Sequence, residues 1–154
     1  MTGREDDLDE LLQPTVKPVV RSGYKPWRVH SQFWVAFFGG IFAVTGIAYI
    51  NAGHLGAGTR TRRLILLCGA AALAIFLAMA VWAFDENVRQ ARIPGRILSV
   101  VLFLALARLQ READNRYQIF EAGEYASLWG AGIVASIAGN LLLALVWALF
   151  TFSL

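Results

Sequence analysis

Long uncharged apolar runs alternate along this chain with short segments that carry arginine. Residues 64–84, LILLCGAAALAIFLAMAVWAF, contain no charge. As a helix rising ~1.5 Å per residue they reach ~32 Å, about the thickness of a bilayer's hydrocarbon core. Comparable runs occupy 33–50 and 127–150. Helices apolar on every face do not suit a soluble domain of this size. The pattern therefore predicts an all-α integral membrane protein with three long transmembrane helices, at about 33–50, 64–84 and 127–150.

The remaining run is different. Only Ile97–Ala107 separates Arg96 from Arg108, or ~16 Å of helix, short for a crossing. Beyond it Leu102, Leu106, Leu109, Ala113, Tyr117 and Phe120 form a stripe at spacings of three and four, with Arg108, Arg111, Glu112, Asp114, Asn115 and Arg116 around it. The expectation is a shorter, partly amphipathic helix at about 97–120, lying shallowly or serving as a fourth crossing. Pro94-Gly95 is expected to break the chain before it and Gly123 to end it. Residues 51–63 read as a turn between spans, since the glycines there fit neither the Walker spacing nor G-x-G-x-x-G.

Residues 1–32 are polar and proline-bearing, expected as a largely disordered arm ahead of a single helical membrane domain, 33–154. Within the arm Leu8, Leu11 and Leu12 could form a short docking helix, with a solvated tail as the plainer alternative. Lys17, Arg21, Lys25 and Arg28 precede Trp27, Phe33 and Trp34, the order of cations and indoles by which a chain enters a bilayer. The acidic start MTGREDDLDE is unlike a secretory signal.

Charge placement bears on the number of crossings. If the third run does not cross, the Lys and Arg near the membrane divide about ten to three, against about seven to six if all four runs cross. The bias favours three crossings, with the N-terminus cytoplasmic, the 51–63 turn and the C-terminus outside, and a plasma or inner membrane as the location.

The whole chain has 154 residues, 57% of them apolar and 16% charged, with a net charge of +3. In a soluble protein that charge would suggest nucleic acid. Here the basic residues flank apolar runs, where they set topology and meet anionic headgroups. The lone Cys68 reads as a small apolar side chain.

Chemistry is sparse. Glu112 and Asp114 are two apart on a helix and point away from each other. His30 and His54 stand alone, and no catalytic motif appears, so no catalytic, cofactor or metal residue is assigned. No Asp, Glu, Lys or Arg falls inside the three long runs, where a coupled transporter keeps one. Asn140 is expected to face another helix rather than lipid. Gly132, Ser136, Asn140 and Ala144 share one face at i, i+4 spacing. With Gly39 and Gly40 they form a helix-packing face or a pore lining. Lys17, Arg21, Lys25, Arg28, Arg108, Arg111 and Arg116 are the candidates for headgroup or partner contacts.

In general form the chain is similar to small bacterial multi-spanning proteins, with no motif that transfers a residue's role. The reading is a non-catalytic accessory, assembly or regulatory subunit with a protein partner or self-association. A small channel or transporter is the alternative, and a membrane enzyme the remotest.

Overall fold

The computed structural model describes residues 24–82, 92–120 and 124–152, with side chains left out at 80–82, 92, 120 and 150–152. The Leu8–Leu12 segment, Lys17, Arg21, the 85–89 connection and Gly123 lie outside the described residues. After a 3-10 turn at Val29–Ser31 come four helices, α1 (Gln32–His54), α2 (Thr59–Trp82), α3 (Arg92–Phe120) and α4 (Trp129–Phe152). All four are long and apolar enough to cross a membrane.

α1 is not a straight rod. Gly40 adopts φ 73°, ψ −164°, a conformation that a side chain would oppose. The helix folds back there. Gln32 and Asn51 both donate their side-chain amides to Gln110 Oε1, at 3.4 and 3.0 Å. A continuous helix would separate the two by ~28 Å. α1 is therefore a helical hairpin, with a first arm at 32–39, a tip at Gly40 and a second arm at 41–54.

The other three helices surround this hairpin. The first arm runs antiparallel to α3. Phe33 meets Phe103 edge-on at 5.9 Å and Arg96 lies over the Phe37 ring at 5.5 Å. The second arm packs on α2, where Thr45 lies against Gly69 and Arg62 sits 4.3 Å over the Tyr49 ring. α4 lies along both arms. Val35 and Ile47, from opposite arms, join Leu128, Ala131 and Ala135 in one apolar cluster. The main core combines Ala36, Val44 and Ala48 of the hairpin with Ile65 of α2 and Leu102, Phe103 and Leu106 of α3. Among the described residues α4 packs on α1 alone, whereas α2 and α3 also pack on each other.

Several sequence expectations need correction. The 33–50 run is helical but turns back at Gly40, because that glycine serves as a corner. α3 is the longest helix, at 29 residues, and not a short element starting at 97. Pro94-Gly95 does not break it, because Pro94 occupies the first turn, where a missing N–H leaves no helical bond unmade. The turn after α1 is only Leu55–Gly58, with Gly56 at φ 67°.

Candidate functional site

The hairpin has a base and a tip, each built from different chemistry. At the base, Gln32, Asn51 and Gln110 are buried and share their amides. Asn51 Oδ1 also accepts the Trp27 backbone N–H at 2.7 Å. Ala126 N–H donates to Pro26 O at 2.9 Å, Lys25 pairs with Glu124, and Arg28 lies 5.5 Å from the Tyr125 ring centroid. The segments before α1 and before α4 are thereby clipped together beneath the hairpin. The bond to Glu124 holds the Lys25 ammonium above its ordinary value and the Glu124 carboxyl below its own. Asp114 is buried and accepts the Tyr125 hydroxyl at 2.8 Å. Burial, with that bond, raises the Tyr125 phenol above its usual value.

The tip is reached eleven positions along each neighbour: Gln110 to Ser99 on α3, Asn51 to Gly40 on the second arm, Trp129 to Asn140 on α4. Each interval is ~16 Å. Asn140 Nδ2 donates to Phe38 O at 2.8 Å and to Ser136 O at 2.7 Å. The bond to Phe38 anchors the last turn of the first arm, whose carbonyls have no further helical N–H to accept from. Contact with α4 is backbone on backbone. A Cβ added at Gly39 would stand 2.7 Å from Ser136 Cα, and one at Gly139 2.5 Å from Gly39 O.

Beyond the tip, between the far half of α4 and the α2–α3 pair, lies a cavity of about 420 Å³. Phe37, Phe38 and Gly40 form its floor, Phe76, Arg96 and Ser99 one wall, and Asn140, Ala144 and Trp147 the other. Ser99 donates its hydroxyl to Gly95 O at 2.8 Å. Arg96 is the one ionisable residue among the described cavity-lining residues.

The predicted Gly132–Ala144 row thus divides. Gly132, Ser136 and Asn140 pack on the hairpin, and Ala144 faces the cavity. Gly39 meets α4, and Gly40 makes the corner. Arg108, Arg111 and Arg116 are exposed at the far end of α3, where Arg116 pairs with Glu112. No family model matches this chain, and no curated protein or solved structure shows significant similarity to it.

Sequence reasoning passed over Gln32, Gln110, Gly139 and Arg96. Gly139, one position from the i, i+4 row, could have been found as a second small residue on the Asn140 face. Arg96 bounds an apolar run in the sequence, and in the fold it lines the cavity beyond the tip.

Proposed function

We propose that this chain is a non-catalytic multi-pass membrane protein with three crossings, α2, α3 and α4, and a re-entrant α1, acting as an accessory or regulatory subunit. The bond from both arms of α1 to Gln110 carries this reading, because it puts the two ends of an apolar helix on one side. The tip then stands ~16 Å in, about half of a ~30 Å hydrocarbon core. Irregular backbone is tolerated at that depth only where protein buries it or a cavity adjoins it, and Gly40 is half-buried and lines the cavity. Ile133, Ile137, Leu141 and Leu145 of α4 and Ile97, Val101 and Leu104 of α3 are exposed, as lipid-facing positions should be.

Charge supports the same arrangement. Near the membrane the arm before α1 carries four Lys and Arg, the start of α2 three, and the far end of α3 three (Arg108, Arg111 and Arg116), all on the base side. Arg89, Arg92 and Arg96 are left for the other side. By the positive-inside rule the base is cytoplasmic. Its basic surface and the charged end of α3 meet anionic headgroups or a protein partner.

Single cysteines at Ala57, Ala126 and Asn87, in a Cys68→Ala background, test the arrangement. Positions 57 and 126 should react with an impermeant maleimide from the cytoplasmic side and 87 from the opposite side. Reaction at 57 and 126 from opposite sides would reject the re-entrant hairpin.

One observation favours the channel or transporter reading: the broken helix meets a cavity at half depth, as in many transporters. Ion flux through liposomes holding this chain alone, lost in Asn140→Leu, would establish it. Co-purification of a stoichiometric partner in mild detergent would establish the subunit.

A further inference from the structure

We propose that the cavity above the hairpin tip binds an anionic single-chain amphiphile, with Arg96 holding the acidic head group and Phe37, Phe76 and Trp147 enclosing the start of the chain. The proposal rests on the three-crossing reading, which sets the depth of Arg96.

Arg96 stands 14 positions from Gln110, ~21 Å from the base and so ~9 Å inside the opposite face of a ~30 Å core, where a guanidinium is costly unless it meets an anion, water or headgroups. Arg96 stacks over Phe37, but that ring offers it no countercharge. No carboxylate forms an ion pair with it among the described residues. A planar guanidinium presents paired N–H donors, a geometry suited to a phosphate or carboxylate.

The other polar groups narrow the choice. Asn140 donates its amide hydrogens to Phe38 and Ser136, which leaves Oδ1 as an acceptor. Ser99 donates its hydroxyl to Gly95 and likewise keeps acceptor capacity. The cavity therefore offers one cation, two acceptors and aromatic walls. A head group that is acidic and also bears a hydroxyl satisfies all three. A volume of about 420 Å³ falls within the usual ~300–1,000 Å³ of small-molecule sites. Since α4 packs on α1 alone among the described residues, the gap between α4 and the α2–α3 pair is a route by which the chain could extend into the bilayer.

The test uses the full chain in mild detergent, with native mass spectrometry reading the occupancy of 1-oleoyl lysophosphatidic acid against 1-oleoyl lysophosphatidylcholine. The anionic probe should be preferred. Arg96→Gln should lower its occupancy at least ~10-fold, the factor expected for one lost charge-assisted contact. Arg96→Lys should retain part of it, and Arg111→Gln, on the headgroup-facing base surface, should lose far less than Arg96→Gln. Ala144→Trp, which fills the cavity and keeps the charge, should also abolish binding, so the outcome does not hang on Arg96→Gln folding. Equal losses in Arg96→Gln and Arg111→Gln would assign the adduct to the headgroup surface and overturn the proposal. So would unchanged binding in either Arg96→Gln or Ala144→Trp. Displacement of the probe by millimolar inorganic phosphate would show a site for the free anion and would overturn the amphiphile. Maleimide labelling at 57 and 126 in the same preparations separates the two failures. If both react from the cytoplasmic side while the adduct ignores Arg96, the hairpin stands and the ligand falls.

Discussion

Three amides hold the base of the hairpin, and none of them was legible as a group. Gln32 lies at the end of a polar arm, Asn51 in an apparent turn, and Gln110 among surface charges. Only the reversal at Gly40 brings them together. Gln110 is the hub, since its Oε1 accepts from both others and its Nε2 returns a bond to Gln32 Oε1 at 3.4 Å. Replacing it with Leu leaves two buried amides short of a partner, at a cost of ~1–3 kcal/mol for each group so left. Gln110→Leu should therefore lower the melting midpoint in detergent clearly below that of the exposed control Gln118→Leu, read by fluorescence-detected size exclusion after heating. Equal midpoints would remove the network from the account of stability. Tyr125 gives a second measure of the base. Its phenol is raised by burial and by its bond to Asp114, so the neutral form is the one folding favours. That contribution is complete below the ordinary value near 10 and is lost as pH rises through the higher folded value. A spectrophotometric titration should show a late-ionising tyrosine that is missing in Tyr125→Phe.

At the scale of elements, helical periodicity served well where the packing is regular. The stripe on α3 was readable, and Leu102, Leu106 and Tyr117 are buried as its spacing requires. The length of α3 was not readable, because Arg96 and Arg108 make its apolar core look too short, while the helix continues through both. The Gly39-Gly40 pair was seen, yet small residues serve close helix packing and sharp corners alike, and no local signal separates the two. Gly39 does one task and Gly40 the other. The packing task is shared with Gly139, where an added Cβ would fall 2.5 Å from Gly39 O and 2.8 Å from Ala43 Cβ. Those are backbone and short side-chain atoms that cannot rotate away. Gly139→Ala should therefore destabilise by ~1–3 kcal/mol as an overpacked contact. Gly46→Ala, which meets nothing within 4 Å, should be neutral or gain up to ~1 kcal/mol from helix propensity. The two variants differ by one methyl group on the same kind of residue, so their contrast isolates the contact between α4 and the hairpin. A Gly139→Ala protein as heat-stable as Gly46→Ala would mean that α4 is free to move off α1.

For the whole molecule, composition was enough to foresee three long apolar helices and to leave a shorter fourth open, but charge counting was not enough to arrange them. The ratio of ten to three arises when the third run stays on the surface, and it arises again when α1 is re-entrant. The two arrangements exchange Arg60, Arg62 and Arg63 for Arg89, Arg92 and Arg96, so the total is blind to the difference. They part at the Leu55–Gly58 turn. In the hairpin arrangement that turn is cytoplasmic and already beside three arginines. In the straight-span arrangement it faces the other side, where positive charge opposes translocation. Adding two lysines there, as Ala57→Lys with Gly58→Lys, therefore distinguishes them in the intact chain. Ala57 is half-buried beside the core and Gly58 meets no atom within 4 Å, so the lysines can reach headgroups with little loss of packing. The hairpin predicts that a cysteine at Asn87 still reacts only from outside and one at Ala126 only from the cytoplasm, in the Cys68→Ala background. A straight α1 predicts a mixed population, with each cysteine reacting from both sides, because the new charges would retain the turn in the cytoplasm and frustrate the helices after it. Single-sided labelling at unchanged yield would place the orientation of this protein in the fold-back at Gly40, and mixed labelling would return α1 to a full crossing.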